Sequence, residues 1–152
     1  MAVVHRPALS DRLTETLYTE ALLLADETHA YYDLAGRTER ESLDPKSRVQ
    51  FACEALKATT RLMHVIAWLA TRRAIATGEL AEGDPSSIER RLGESAPTDS
   101  SVLGMMPTAA RRLIMAGIDL HERVGRVASG IEAPIALASP ARALIQRLER
   151  AF

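Results

Sequence analysis

Core-type residues recur at three- and four-residue steps through most of the chain, which is the spacing of one face of a helix. The first such run follows Ser10, a good N-cap residue, and stops before Gly36, which can adopt the left-handed conformation that closes a helix. Its repeating positions are Leu13, Leu17, Ala21, Leu24, Thr28 and Tyr31. We therefore predict a first helix between Ser10 and Gly36, followed by a polar connection from Arg37 to Leu43.

A second, longer helix is predicted from Asp44–Pro45 to Thr77. Asp44 can accept hydrogen bonds from free backbone N–H groups, Pro45 suits the first helical position, and Gly78 follows the last turn. One stripe at coiled-coil spacing contains Val49, Ala52, Leu56, Thr59, Met63, Ile66 and Ala70. Another contains Ala55, Ala58, Leu62, Val65 and Leu69, with Trp68 beside it. Two stripes predict that this helix is central in a bundle or that it also carries a subunit interface.

The remainder of the chain predicts one more long helix. Residues 78–107 are rich in Pro, Gly and Ser and are interpreted as a loop, with a helical turn possible at Ile88–Leu92. The third helix is predicted from Pro107–Thr108 to the residue before Gly130. The fold class is then all-α, an antiparallel three-helix bundle over residues 1–130 with a short C-terminal amphipathic arm.

Residues 131–152 are predicted to be a linker and that arm. The arm places its apolar side chains on one side of a prospective short helix and three arginines elsewhere. Its docking residues are Leu144, Ile145, Leu148 and Phe152. Two interpretations stay open: the arm packs on its own bundle, or it docks in the groove of a partner protein.

The length, net charge and apolar content of the chain limit the classes of protein to which it can belong. The chain has 152 residues, enough for one domain with its own core, and a formal net charge of −1. That charge supplies no overall field to hold nucleic acid or an anionic membrane. The sequence has no membrane-length apolar run and no signal-peptide pattern, so we expect a cytoplasmic protein with no membrane partner.

Residues that could carry chemistry are sparse. The four histidines, His5, His29, His64 and His121, have no pair at the three- or four-residue spacing of metal ligands on one helix. Cys53 stands alone between two predicted core positions and is interpreted as structural. A phosphate-binding glycine loop and a nucleophile elbow are both missing. We expect no enzyme activity, no bound metal and no cofactor.

The apolar surplus of the second helix favours a protein-binding function. We predict that one surface mediates a symmetric homodimer or contacts a partner protein. Its residues are Arg61, Leu62, Val65, Trp68, Leu69 and Arg72. The open alternative is that the first and third helices cover these side chains. A different class, a DNA-associated helical regulator, would use Arg48, Arg72 and Arg111 on phosphates, although the connection after the second helix is too long for a helix-turn-helix.

Three stretches resemble a known family, the one named for the regulator of CtrA degradation, RcdA. SDRLTETLYTEALLLADE, from Ser10 to Glu27, is similar to its opening helix. CEALKATTRLMHVIAWLATRRAIATGEL, from Cys53 to Leu80, is similar to its long second helix, and Arg90–Gly93 resembles its loop signature. The resemblance implies a dimerising three-helix bundle without catalytic activity. It also implies an alphaproteobacterial adaptor that helps deliver the cell-cycle response regulator CtrA to the protease ClpXP.

Overall fold

A computed structural model describes residues 9–83 and 91–132, and these two ranges contain three long helices and two short ones. All regular secondary structure in these two ranges is helical. The helices are α1 (Leu9–Asp33), α2 (Ala35–Glu41), α3 (Pro45–Ala76), α4 (Ser100–Met105) and α5 (Thr108–Glu132). No described helix is both long enough and apolar enough to cross a membrane.

The predicted bounds of the second helix are confirmed in α3. The Asp44 carboxylate accepts a hydrogen bond from the backbone N–H of Ser47 at 3.3 Å, and Pro45 is the first helical residue. Gly78 follows the C-cap with a φ of +79°, a conformation that costs glycine little and side-chain-bearing residues more. Capping chemistry and one glycine therefore determine where this helix begins and ends.

The predicted connection from Arg37 to Leu43 is instead mostly helix. Leu34 alone breaks the helical backbone between α1 and α2, and Gly36 lies inside α2 rather than ending α1. A Cβ on Gly36 would lie 2.8 Å from the carbonyl oxygen of Tyr31, so only glycine allows this close turn. The Tyr31 hydroxyl also donates a hydrogen bond to Glu39 on α2, which holds the short helix against the end of α1.

The predicted loop over residues 78–107 also contains a helix, and the predicted end of the third helix is wrong. Asp99 caps α4 by accepting a hydrogen bond from the backbone N–H of Ser101 at 2.9 Å. Gly130 is part of α5, which continues to Glu132. Of the predicted turn at Ile88–Leu92, only the last two residues are described, and they are not helical.

Two core clusters determine the directions of the long helices. The first joins the early part of α1 to the later parts of α3 and α5, through Leu17, Ala21, Leu62, Val65, Trp68, Leu69, Leu120, Val124 and Ala128. The second joins the end of α1 to the start of α3 and to the region of α4 and α5, through Tyr31, Phe51, Met106, Ala110, Leu113 and Ile114. Helix α1 is therefore antiparallel to both α3 and α5, whereas α3 and α5 are parallel to each other.

The predicted fully antiparallel bundle is thus corrected in one respect. An antiparallel third helix would start near the end of α3, where a short connection suffices. Here the described end of the connection runs back along α3, since Glu94 is bound at His64 and Thr98 at Glu54, and α5 begins beside the start of α3. This part of the connection lies in one groove of the bundle.

Candidate protein-binding surfaces

The surface predicted on the second helix is buried inside this chain. Arg61 is 1% exposed, Val65 is fully buried and Trp68 is 5% exposed. Leu62 and Leu69 are also core residues, and Arg72 is partly buried beside Glu82, at 3.7 Å. These residues therefore form no exposed patch: the apolar ones pack against α1 and α5, and Arg61 is covered by residues 95 and 96.

The other apolar stripe of α3 faces outward instead. Val49, Leu56 and Met63, at seven-residue intervals, are 64%, 69% and 64% exposed. The two stripes have similar hydrophobicity, so the apolar pattern alone does not distinguish the buried one. Polar residues distinguish the buried side, because Glu54 and Arg61 lie there and form hydrogen bonds with residues outside α3.

The exposed face of α3 has an unusual lack of charge. Between residues 49 and 71, a length of about 33 Å, every exposed side chain is uncharged. These side chains are Val49, Ala52, Cys53, Leu56, Thr59, Thr60, Met63 and Ala67. Cys53, interpreted above as a core residue, is exposed on this face. We name these eight residues the α3 face; contiguous apolar surface of this kind is typical of protein interfaces.

A groove between α1 and α3 borders the α3 face. Its volume is about 550 Å³. The lining residues are Ala25, Thr28, His29, Tyr32, Asp33, Ala55, Leu56, Thr59, Leu62, Met63 and Ile66. Only one ion pair lies among these lining residues, between His29 and Asp33 at 3.0 Å, so the α1/α3 groove is otherwise apolar or hydroxylic.

A second groove, between α1 and α5, has a volume of about 680 Å³ and a more polar rim. Arg123 donates to Glu20 at 3.0 Å and to Asp119 at 2.8 Å, and the hydrogen bond with Glu20 is the main reason that the pKa of Arg123 is raised. Leu23, exposed by 66%, lies in the same groove with Leu24. The α1/α5 groove therefore combines an apolar floor with charged edges.

The third groove, between α3 and α5, is occupied by residues 93–98, which we name the strap. His121 of α5 donates to the backbone oxygen of Gly93 at 2.9 Å, and His64 of α3 donates to that of Glu94 at 3.0 Å. Because a carbonyl oxygen only accepts, these bonds place a proton on Nε2 of His121 and on Nδ1 of His64. Both histidines hold the strap in place.

Charged side chains of α3 hold the centre of the strap. Arg61 donates from Nε to the Ser95 hydroxyl at 2.5 Å and from Nη2 to the Ala96 oxygen at 3.0 Å. Burial lowers the pKa of the Arg61 guanidinium, and the nearby Glu54 carboxylate opposes that shift. The hydrogen bonds offset part of the cost of removing Arg61 from water, while its buried Nη1 atom has no hydrogen-bond partner among the described residues.

The end of the strap is held by an ion pair. Lys57 donates to the backbone oxygen of Pro97 at 3.0 Å and to the Glu54 carboxylate at 2.9 Å, while Thr98 donates to Glu54 at 2.7 Å. The charged residues in the middle of α3 are thus directed toward the strap. This leaves the opposite side of the helix, the α3 face, without charge.

Replacing Gly93 with alanine should destabilise the strap. An added Cβ would lie 2.5 Å from Cγ and from Nδ1 of His64, too close for either group to stay in place. We expect the free energy of unfolding, measured with urea, to fall by about 1–3 kcal/mol.

Two variants control for this effect. The loss should be much smaller when His64 is also replaced by alanine, because the clashing ring is then absent. Gly104, inside α4, has no atom near a prospective Cβ, so Gly104→Ala should instead stabilise by about 0.4–1 kcal/mol. Equal losses for Gly93→Ala with and without His64 would contradict this explanation.

Metal binding and DNA contact are the two other functions that the sequence raised. Within residues 9–83 and 91–132, no three His, Cys, Asp or Glu side chains are grouped so that they could hold a metal ion. Arg48 and Arg72, proposed for DNA contact, are about 36 Å apart along α3, and Arg48 is engaged with two backbone oxygens. His5, the linker beyond Glu132 and the arm lie outside the described residues.

The comparisons with known proteins agree with this geometry. A family model described as "Protein of unknown function (DUF1465)" matches residues 5–152. The chain belongs to this family. Among solved structures, this DUF1465 protein is similar to the crystal structure of RcdA from Caulobacter crescentus CB15, with a TM-score of 0.66 and 27% identity. The match covers 84% of this chain and 95% of the RcdA chain.

The likeness to RcdA inferred from three stretches of sequence is thereby confirmed for this member of the DUF1465 family. No protein with a curated description matches the chain. The all-helical fold, the RcdA-like architecture and an uncharged exposed helix face are therefore the observations from which function is argued.

Proposed function

We propose that this protein is a non-catalytic adaptor, similar to RcdA, that helps deliver a CtrA-type response regulator to ClpXP. The observation that carries the proposal is the α3 face with the adjoining α1/α3 groove. Together they offer a long uncharged surface on a rigid bundle, which suits protein recognition rather than chemistry. The likeness to RcdA supports the adaptor function.

We also propose that the α3 face pairs with the same face of a second copy. Val49, Leu56 and Met63 repeat at the seven-residue spacing by which two helices pack along a seam. Ala52 and Ala67 are small enough to let two backbones approach closely. A two-fold axis near the middle of this stripe would make the contact self-complementary, as symmetric dimers require. The homodimer predicted from sequence would thus use the opposite side of the same helix.

Replacing Met63 with glutamate should abolish this dimer, because the contact would bury two carboxylates without partners. Analytical ultracentrifugation should show dimers for the unaltered chain and monomers for Met63→Glu at micromolar concentration. Met115→Glu is a matched control, since Met115 is 54% exposed on α5 and distant from the α3 face in sequence and fold. Dimerisation that survives Met63→Glu would exclude the α3 face as the subunit interface.

The delivery function is tested by reconstitution. Purified ClpXP and the CtrA-type regulator of the same organism are incubated with this protein, and loss of the regulator is followed over time. We expect faster degradation in its presence, little acceleration with Met63→Glu and full acceleration with Met115→Glu. Unchanged degradation with the organism's other pathway components also added would contradict the adaptor function, whatever the oligomeric state.

A further inference from the structure

We propose that the C-terminal arm, residues 144–152, docks as a helix into the α1/α5 groove of its own chain. The long helices form three grooves, and the strap already occupies the one between α3 and α5. The α1/α3 groove adjoins the uncharged α3 face, whereas the α1/α5 groove has charged edges. The arm is amphipathic and carries arginines, so its chemistry matches the α1/α5 groove.

The charge of the groove favours a basic occupant. Three carboxylates and one guanidinium belong to its lining residues, Glu20, Glu27, Asp119 and Arg123, and Arg112 beside the groove pairs with Glu27 at 2.5 Å, which gives −3 + 2 = −1. Each of these carboxylates is partly exposed, and Asp119 keeps 64% of its side chain accessible. Solvent-exposed oxygens remain available for further hydrogen bonds, since a carboxylate can accept about four.

The charge of the arm has the opposite sign. Residues 144–152 contain Arg147, Arg150 and Glu149, which gives +2 − 1 = +1, and Arg142 lies two residues before them. In a helix, Leu144, Leu148 and Phe152 would follow one another at four-residue steps on one side, with Ile145 beside them. That side would cover Leu23, Leu24 and Ala116 on the floor of the groove, and the arginines would lie near its edges.

The connecting length is sufficient. Helix α5 ends at Glu132, about 14 Å beyond Arg123 at the edge of the groove. Residues 133–143 can span up to about 36 Å when extended. Along α1 the groove extends from Thr16 to Glu27, about 17 Å, and a nine-residue helix is about 14 Å long. The arm can therefore return along α5 and fit the groove.

Hydrogen–deuterium exchange of the full chain tests the proposal. We expect the backbone amides of residues 144–152 to exchange at least tenfold more slowly than in a free peptide of the same sequence. Leu23→Glu should restore the rate of the free peptide, whereas Leu56→Glu should leave the protection unchanged. Leu23 and Leu56 are equally exposed, 66% and 69%, and each lies in a different groove. Absent protection, or protection that Leu23→Glu does not reduce, would overturn the proposal.

Disulfide trapping provides a second test that identifies the groove and the chain. In a Cys53→Ser background, Leu23→Cys combined with Leu148→Cys should form an intramolecular disulfide at least tenfold faster than Leu56→Cys combined with Leu148→Cys. Faster trapping at position 56 would place the arm in the other groove. Trapping only between chains would mean that the groove receives the arm of a second molecule. Either result would overturn docking within one chain, and neither depends on the adaptor function.

Discussion

Replacing Trp68 with alanine should lower the free energy of unfolding by about 3–5 kcal/mol. Trp68 is 5% exposed and packs in the core cluster with residues of α1 and α5, such as Leu17 and Val124. Truncation removes a large apolar side chain and leaves a cavity that the long helices cannot fully close. Urea denaturation should be followed by circular dichroism, because Trp68 is the chain's one tryptophan and the variant loses its fluorescence.

The matched control is Leu56→Ala on the exposed side of the same helix. Leu56 is 69% exposed, so its truncation should change the stability of the monomer by less than about 0.5 kcal/mol. Measurements at protein concentrations below the dissociation constant of the dimer separate folding from self-association. If Trp68→Ala kept its stability and weakened dimerisation, Trp68 would be an interface residue, as first predicted from the sequence.

Replacing Arg61 with methionine should lower the free energy of unfolding by about 3–6 kcal/mol, because it removes two hydrogen bonds of a charged donor at about 1.5–3 kcal/mol each. Methionine preserves much of the apolar packing but leaves Ser95 and Ala96 without their donor. We also expect faster amide exchange throughout the strap, because its central attachment is lost.

An exposed arginine gives the comparison. Arg40 lies on α2 and is exposed, so Arg40→Met should change stability by no more than about 0.5 kcal/mol and leave exchange in the strap unaltered. Equal losses from the two substitutions would show that the effect belongs to arginine replacement in general. A stable Arg61→Met variant would show that the strap is held by its other contacts.

The sequence predicts the long helices well because their signals are local. Asp44, Pro45 and Gly78 act through capping and backbone conformation, which depend on adjacent residues. The signal for the direction of the third helix is not local, since that direction depends on how the strap packs between α3 and α5. Gly36 shows the same limit, because its role comes from a close approach to Tyr31 rather than from helix termination.

The candidate surface was placed on the buried side of α3 for a related reason. Both stripes are apolar, and periodicity does not indicate which one meets the other helices. A usable signal was present: Glu54 and Arg61 lie seven residues apart beside core positions, a pattern that suggests a buried polar partner. The strap that provides this partner is bound largely through its backbone oxygens, which are the same in every amino acid, and otherwise through two small hydroxyl residues, Ser95 and Thr98.

That mode of attachment has an evolutionary consequence. Side chains of α3 and α5 bind the carbonyl groups of Gly93, Glu94, Ala96 and Pro97, and the hydroxyl groups of Ser95 and Thr98 also form hydrogen bonds with α3. Substitutions at residues 94, 96 and 97 should therefore accumulate among relatives with little penalty, while Gly93, the two hydroxyl residues and the helix residues that bind the strap should change rarely. Natural variation in this segment would then alter the outer surface of the bundle and leave its fold intact.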